Sequence, residues 1–224
     1  MGAAKCSIDG SDYIGVFATA SEKHVFVGSQ ASGRSRQILV DTLEVKPVAL
    51  SVFGTNLVGL FMKANSNGLI ISNLIEDYEL ERLKEQKLDL KIGVLDSNLN
   101  AIGNNILAND KIAIINPDYN VHAKQQIRDV LDVEVLEYQI GGFKTIGANN
   151  ILTNKGFALS NRAEDDEKES VDKLVGFNSI RTTANTGSLS IGLAAVCNSK
   201  GVVVGNETTG YELNRIIEAL NVSD

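Results

Sequence analysis

Four side chains in this 224-residue chain could support nucleophilic or metal chemistry, namely Cys6, Cys197, His24 and His122. A catalytic cysteine needs a neighbouring base or a positive field that lowers its pKa. From the repeat described below, we expect Cys197 at the end of a strand near the centre of the fold. We expect His24 on a hairpin strand further out and His122 early in a helix on the outside. The four residues also lack metal-type spacing, so no metal and no cofactor is expected. They indicate two free thiols, with a disulfide between them as the alternative.

The overall charge and composition exclude several classes of function. The chain carries 28 acidic and 21 basic residues, a net charge of −7, which argues against a DNA-binding protein that neutralises phosphates. That charge suits a basic protein partner, or small contacts to RNA made by polar loops. The sequence contains no run of about 18 apolar residues, so no membrane span is predicted. The N-terminus also lacks the apolar core of a signal peptide. We therefore expect a cytoplasmic protein.

A short motif recurs along the chain at a nearly constant interval. AIGNNILAN at 101–109 has a near copy in TIGANNILTN at 145–154, and weaker copies begin at Tyr13, Leu57 and Ser190. Each copy contains an apolar residue followed by a glycine. These glycines are Gly15, Gly59, Gly103, Gly147 and Gly192, and successive ones are 44, 44, 44 and 45 residues apart. Five copies at one period are typical of a repeat architecture.

Each copy predicts the same order of elements. A strand of small residues after the glycine leads to a polar turn, where Asn and Gly tolerate the positive φ of tight hairpins. Apolar strands follow at 25–28, 69–72, 112–115, 157–160 and 202–205. Each ends at a small polar residue whose oxygen could cap a helix. These predicted N-caps are Ser29, Asn73, Asn116, Asn161 and Asn206.

Helices and third strands complete the predicted units. The helices are predicted at 33–43, 76–86, 119–131, 165–175 and 210–220, with third strands at 48–53, 91–96, 134–140 and 179–184. The fifth unit lacks a third strand, and the N-terminal segment 3–9 has no unit of its own. The simplest account is that this segment supplies the missing strand and closes a ring, which removes exposed sheet edges.

The repeat therefore predicts one α/β domain over 1–224, a five-bladed α/β propeller with pseudo-fivefold symmetry. Its units are approximately 11–54, 55–98, 99–142, 143–187 and 188–224, with 3–9 completing the fifth. The helices would lie outside and the small-residue strands near the axis, where the five glycines would allow close backbone approach. The alternative is an ordinary α/β sandwich with a degenerate repeat.

At AIGNNILAND (101–110) and INPDYN (115–120), the chain resembles archaeal and eukaryotic translation initiation factor 6. Matching segments include TIGANNILTNKGFALS at 145–160 and ANTGSLSIGLAAVCNSKGVVVGNETTGYEL at 184–213. The resemblance covers essentially the whole chain in order. Because the chain ends soon after its last helix, without the eukaryotic C-terminal tail, it is similar to an archaeal member.

This resemblance implies a pentein-type propeller and a non-catalytic, monomeric factor that binds the large ribosomal subunit. Family members contact a ribosomal protein beside the sarcin-ricin loop, and limited contact with ribosomal RNA is expected. They prevent joining of the small subunit and act in late maturation of the large subunit. Release factors must later remove the bound factor from the large subunit.

Seven residues are candidates for ribosome binding: Asn104, Asn105, Asn149, Asn185, Thr208, Thr209 and Tyr211. The first three follow the repeat glycines and would line one mouth of the ring. The others belong to polar loops, which often carry binding on a rigid scaffold, and Tyr is a frequent interface anchor. The alternative is structural, since buried polar side chains usually satisfy backbone groups and loop residues start helices.

An enzyme is the competing class of function. Guanidine-modifying enzymes share the implied fold and need an axial cysteine, a histidine and carboxylates. Cys197 has a suggestive position, but neither histidine is predicted beside it. A ring that binds a small ligand in its central channel is a third alternative.

Overall fold

The computed structural model describes residues 2–222, which form a mixed α/β structure with five separate three-stranded sheets. Residue 1 and residues 223–224, which the predicted domain included, lie outside the described range. The strands are β1 Ala3–Cys6, β2 Ala18–Ala20, β3 His24–Gly28, β4 Lys46–Leu50, β5 Met62–Ala64, β6 Gly68–Ser72, β7 Lys91–Leu95, β8 Ile106–Ala108, β9 Ile112–Ile115, β10 Glu134–Glu137, β11 Ile151–Leu152, β12 Phe157–Ser160, β13 Ile180–Thr182, β14 Ala195–Cys197 and β15 Val202–Gly205.

Five long helices and five short helical turns connect these strands in the described range. The long helices are α1 Gly33–Leu43, α3 Asp77–Glu85, α5 Val121–Leu131, α7 Asp165–Val175 and α9 Gly210–Leu220. The short ones are a 3-10 turn at Ile14–Val16, α2 Val58–Phe61, α4 Ile102–Asn105, α6 Ile146–Asn149 and α8 Ile191–Ala194.

All five sheets have the same topology. The first two strands form an antiparallel hairpin, and a third strand pairs parallel to the second. In four units a long helix provides the crossover that a parallel pair requires. In the fifth sheet the third strand is β1, which pairs parallel to β15 from Ala3 opposite Val202 to Cys6 opposite Gly205. The N-terminal segment therefore completes the last sheet.

The five repeat glycines lie in the short helical turns, which were not predicted, and the predicted small-residue strand follows each turn. The short turns pack backbone to backbone. A Cβ on Gly59 would overlap the carbonyl oxygen of Gly15, and a Cβ on Gly103 would overlap that of Gly59. The same relation joins Gly147 to Gly103, Gly192 to Gly147 and Gly15 to Gly192. The five contacts thus form a cyclic series.

The predicted N-caps were wrong, by three or four residues. The observed N-caps are Ser32, Glu76, Asn120, Glu164 and Thr209. After each second strand the backbone makes one tight turn before the helix, as in the bond from Ala31 N–H to the Gly28 carbonyl. The polar residue after the strand therefore belongs to that turn. Asn116, for example, accepts from the Asp118 N–H at 2.9 Å.

The hydrophobic core lies between neighbouring units. Ile127 and Leu131 of α5 are fully buried in one cluster with Ile70 and Leu95, which belong to the preceding sheet. Each such side chain contributes roughly 1.5–3 kcal/mol by its burial. Because each long helix covers the sheet before it as well as its own, the units depend on one another for their cores.

Candidate functional site

One end of the strands, which we call the turn face, carries the short helices, the N-termini of the long helices and four tight turns. The turns follow third strands, and each is closed by a pair of backbone contacts. Their tips have positive φ at Asp9-Gly10, Phe53-Gly54, Gly141-Gly142 and Thr186-Gly187. Since each third strand is parallel to the second, both end here. The topology therefore places all seven predicted binding residues at this same end.

Three glutamates at the third helical position bind the tight turns of the turn face. Glu79 accepts from the Phe53 N–H at 2.8 Å and the Gly54 N–H at 3.0 Å. Glu167 accepts from the Gly141 N–H at 3.0 Å. Glu212 accepts from the Gly187 N–H at 2.8 Å. Each carboxylate also caps its own helix, so one side chain satisfies two groups of backbone donors.

The effect of these hydrogen bonds on a carboxyl pKa is clearest at Glu212. Burial alone would raise its pKa, but hydrogen bonds from Thr209, Thr183 and Gly187 outweigh burial and lower the pKa to about 2. Glu79 has a lowered pKa for the same combination of reasons. The sequence analysis missed these glutamates. The signal was available, because an acidic or hydroxyl residue followed three positions later by Glu is a capping-box pattern.

Asn105 and Asn149 are buried and have internal partners. Asn105 donates to the Ala101 carbonyl at 2.9 Å and accepts from the Asn116 side chain at 2.7 Å. Asn149 donates to the Thr145 carbonyl at 3.0 Å and accepts from Ser190 Oγ of the next unit at 3.1 Å. Both amides therefore hold the short helices in place.

Asn185, Thr208 and Thr209 are likewise engaged within the fold. Asn185 accepts from Thr208 Oγ1 at 2.8 Å and donates to the Asp12 carbonyl at 2.9 Å, which fastens the tight turn after β13 to the chain before α9 and to the chain before β2. Thr209 is the N-cap of α9 and exchanges hydrogen bonds with Glu212. Of the seven candidates, the structure brings only Asn185 and Thr208 into direct contact through their side chains.

Asn104 and Tyr211 differ from the other five candidates. Among residues 2–222, the buried Oδ1 of Asn104 has no hydrogen-bond donor. Tyr211 is 75% exposed. Buried polar atoms usually have a partner, so this oxygen is an exception, but it is not accessible from outside the fold. Of the seven candidates, Tyr211 is the one whose side chain is largely exposed to a partner.

Two exposed aromatic side chains that the sequence analysis did not select also lie at the turn face. Phe53 is 52% exposed at the tip of a tight turn, where its φ of 55° lies in the left-handed region. Tyr13 is 40% exposed, and its hydroxyl donates to Ser188 Oγ at 3.3 Å. Bulky aromatic residues rarely adopt a positive φ. The signal in the sequence that could have indicated an aromatic side chain at a turn was Phe53 directly before Gly54. Together with Tyr211 these rings give the turn face apolar contact area.

The opposite end of the strands carries the five hairpin turns, which are joined by hydrogen bonds. Ser66 Oγ donates to Asp110 at 2.8 Å, and the Asn154 amide donates to Asp110 at 2.7 Å and to Glu22 at 3.3 Å. Ser199 Oγ also donates to Glu22 at 2.7 Å. Each of these five residues comes from a different hairpin. We call this end the hairpin face.

A narrow channel of about 70 Å³ runs beside the repeat glycines, and the described residues that line it include Lys63 and Cys197. No carboxylate is among these lining residues. Burial lowers the pKa of the Lys63 ammonium. Burial raises the pKa of the Cys197 thiol to about 12, a value opposite to that of an activated nucleophile.

The remaining reactive groups do not form a catalytic set in the described structure. Both cysteines are free, and burial followed by the Asp12 charge raises the pKa of Cys6 to about 11. His122 is exposed on α5, whereas His24 is buried in β3. Within residues 2–222, no group of three histidine, cysteine or acidic side chains could hold a metal ion. None of the helices in this range is both long and apolar enough to span a membrane.

Replacing Lys63 by methionine is expected to stabilise the protein. The substitution keeps the length of the side chain and removes a cation that has no carboxylate beside it among the described residues of the channel. Lys63 is partly buried, and a charge that is withdrawn from water without a partner costs free energy, so we expect a gain of about 1 kcal/mol at pH 7 in urea denaturation. Lys155→Met, on the exposed hairpin face, is the control and should change stability little. An equal or lower stability of Lys63→Met would contradict the expected cost of the buried charge.

Comparison with known proteins gives a consistent result. A model of the eIF-6 family matches residues 3–219. A protein named translation initiation factor 6 from Methanocaldococcus jannaschii is 38% identical over 214 residues, which cover 93% of each chain. Proteins of the same name from Thermococcus onnurineus and Thermoplasma acidophilum are 34% and 35% identical. These two matches cover 98% and 97% of this chain and 98% and 99% of the relatives.

Proposed function

The chain belongs to the eIF-6 family, and we propose that it binds the large ribosomal subunit and prevents its association with the small subunit. Its relatives are named as translation initiation factors, not as enzymes, and the raised thiol pKa values agree with a non-catalytic protein. A role in late maturation of the large subunit belongs to the same proposal. The protein would act as a cytoplasmic monomer.

The proposal includes the shape of the molecule, a single domain in which five units form a closed five-bladed propeller of the pentein type. The cyclic series of glycine contacts supports this arrangement, as does the pairing of β1 with β15. The units would be 11–54, 55–98, 99–142, 143–187 and 188–224, with 3–9 completing the fifth. A rigid disc of this kind would act by occlusion, because it covers a surface that the other subunit needs.

The turn face is the proposed ribosome-binding surface, and its exposed aromatic side chains, Tyr211, Phe53 and Tyr13, are the observation that favours it. The partner there would be a ribosomal protein beside the sarcin-ricin loop. Exposed aromatic side chains such as Tyr211 would provide the apolar anchors that interfaces favour. The net charge of −7 would speed encounter with a basic ribosomal protein, and limited RNA contact would come from polar loops. Release factors would then remove the protein.

Asn105, Asn149, Asn185, Thr208 and Thr209 enter this proposal as residues that shape the surface. Each has a hydrogen-bond partner inside the fold. Substituting them would disturb binding through the fold, whereas Asn104 and Tyr211 can be changed with little internal loss. A contact residue can therefore be recognised as one whose substitution weakens binding without loss of stability, whereas substitution of a supporting residue lowers both.

The double variant Asn104→Ala/Tyr211→Ala is expected to weaken binding to purified archaeal large subunits at least tenfold, since it removes an aromatic anchor and an amide side chain from the turn face. Co-sedimentation measures binding, and light scattering measures subunit joining. Wild-type protein should suppress joining, and the variant should not. Lys155→Ala on the hairpin face is the control and should bind normally. The proposal fails if wild-type protein neither binds large subunits nor slows joining.

A further inference from the structure

A long groove separates the outer strand of the first sheet from the helix of the second unit. Its wider part has a volume of about 830 Å³ and is lined by Lys46, Pro47 and Val48 of β4. A narrower part of about 250 Å³ continues along Val48 to Ser51 and faces Arg82 of α3. Val48 and Gln86 line both parts. We call the whole the β4 groove.

The floor of the β4 groove is the free edge of a β-strand. The Lys46 N–H donates to the Lys23 carbonyl at 2.9 Å, and the Leu50 carbonyl accepts from Ser29 at 2.8 Å. Even-numbered residues of β4 therefore bond to β3, and the backbone groups of Pro47 and Ala49 point to the other side. Pro47 has no N–H, but its carbonyl and both polar backbone groups of Ala49 remain available.

Two equivalent edges in the same molecule are covered by a side chain from the next helix. Gln126 donates to the Val94 carbonyl at 3.4 Å and accepts from the Asp96 N–H at 3.1 Å, which covers the edge of β7. Arg215 donates to the Arg181 carbonyl at 2.9 Å, which covers the edge of β13. Counted from the N-cap, Gln126 and Arg215 both occupy the sixth helical position.

Arg82 occupies that sixth position in α3, but it leaves β4 uncovered. Its side chain makes no hydrogen bond or ion pair with any residue of the described range 2–222. The helix itself is also shorter, with 9 residues instead of the 11 of the other four long helices. Because α3 ends early at Glu85 and the chain turns away with Lys87 at φ +49°, the groove stays open.

The charges without partners along the β4 groove are mainly cationic. Lys46, Lys87 and Arg82 are exposed and form no ion pair within residues 2–222. Four acidic residues also line the groove. Glu22 and Glu79 accept hydrogen bonds inside the fold, Asp89 lies 3.8 Å from Lys23, and Glu44 alone has no side-chain hydrogen bond or ion pair in the described part of the chain. A ligand with carboxylates would therefore be matched better than a basic one.

We propose that an extended acidic segment of a partner protein binds this groove by adding a strand to the free edge of β4. The added backbone would lie about 4.8 Å from β4 and bond to Ala49 and the Pro47 carbonyl. Carboxylates of the segment would meet Lys46, Lys87 and Arg82. The strand edge from Lys46 to Ala49 lies between the two faces, and the narrow end of the groove reaches Ser51 and Glu79 beside the turn face.

A synthetic N-acetylated peptide of alternating glutamate and valine tests the proposal against the full-length chain. Two-dimensional NMR should show the peptide shifting the Ala49 amide and slowing its hydrogen exchange at least tenfold, while the Asp96 amide, which Gln126 already covers beside β7, changes little. The substitution Arg82→Glu should weaken binding at least tenfold. Lys84→Glu is the matched control, because it makes the same charge change on the same helix outside the groove.

A second variant and a second peptide complete the design. Ala49→Pro removes the edge N–H and should abolish binding, and circular dichroism shows whether the variant is folded. A peptide with lysine in place of glutamate should bind at least tenfold more weakly. Absence of binding at millimolar peptide, an equal change in the protection of Ala49 and Asp96, or unchanged affinity in Arg82→Glu would each overturn the proposal.

Discussion

The substitution Gly59→Ala is expected to lower the free energy of unfolding by about 3 kcal/mol or more, or to prevent folding, because overpacking at a rigid contact is costly. The added methyl group would overlap the carbonyl oxygens of Gly15 and Ala18. Both are backbone atoms, which cannot move aside as the end of a flexible side chain can. Separating them would disturb the contacts of the first, second and third units at once.

Gly33→Ala is the matched control for this substitution. Gly33 begins α1, where an added methyl group would meet no atom of a neighbouring element within 4 Å, and it lacks the positive φ that would penalise alanine. Alanine favours a helix over glycine by up to about 1 kcal/mol, so this variant should be as stable as the wild type or slightly more stable. Urea denaturation of the soluble proteins measures the difference. If Gly59→Ala lost less than about 1 kcal/mol, the close packing of the glycines would matter much less for folding than its geometry implies.

The substitution Glu212→Ala is expected to cost about 2–3 kcal/mol at pH 7, because it leaves several donors without their charged acceptor. The carboxylate accepts from the Thr186 and Gly187 N–H groups and from Thr183 Oγ1, and it caps α9. It therefore holds the last tight turn of the turn face against the last long helix. Loss of this carboxylate should also raise the hydrogen-exchange rate of the Gly187 amide.

The effect of Glu212 should depend on pH in a defined direction. Its pKa is lowered in the folded protein from 4.5 to about 2, so the folded state binds the proton less readily than the unfolded state. The stabilisation is present in full above about pH 4.5 and is lost as pH falls towards 2. The difference between the wild type and Glu212→Ala should therefore shrink over this window.

Glu218→Ala provides the matched control for Glu212→Ala. Glu218 is on the same helix, is exposed, and its side chain has no hydrogen bond or ion pair within the described residues. Its removal should change stability by less than about 0.5 kcal/mol at any pH in this range. A Glu212→Ala variant that loses no more than this control, or whose loss is the same at pH 3 and pH 7, would contradict the proposed role of the carboxylate.

The repeated units were predictable because the pattern that specifies them is local. The helices at Gly33–Leu43, Asp165–Val175 and Gly210–Leu220 were predicted at their observed bounds. Their apolar spacing and the alternation of turns with apolar runs depend on neighbours within one unit. The segment 3–9 was assigned to the last sheet by counting strands, and β1 does pair with β15. The family resemblance was likewise visible in the motifs themselves.

The helix starts and the glycine positions were predicted less well, because competing local structures use the same residues. Asn116 can cap a helix or begin a turn, and only the hydrogen bonds of the folded chain select the turn. The helical turn that contains Gly103 was not predicted, although the strand after it was. The repeat interval shows that the glycine recurs, but it does not specify the backbone conformation there, which packs against the Gly59 carbonyl.

The sequence by itself determined the repeat, its elements and the family, since each of these is written in residues close together along the chain. Only the tertiary structure decided which polar residues are free. Asn105 and Asn149 occupy equivalent positions after their glycines, yet only Asn149 accepts from a neighbouring unit, through Ser190, whereas Asn105 accepts from Asn116. Arg82 and Gln126 occupy equivalent helical positions, yet only Gln126 reaches the neighbouring strand. The physical reason is that these partners come from other units, at distances along the chain that no local pattern encodes.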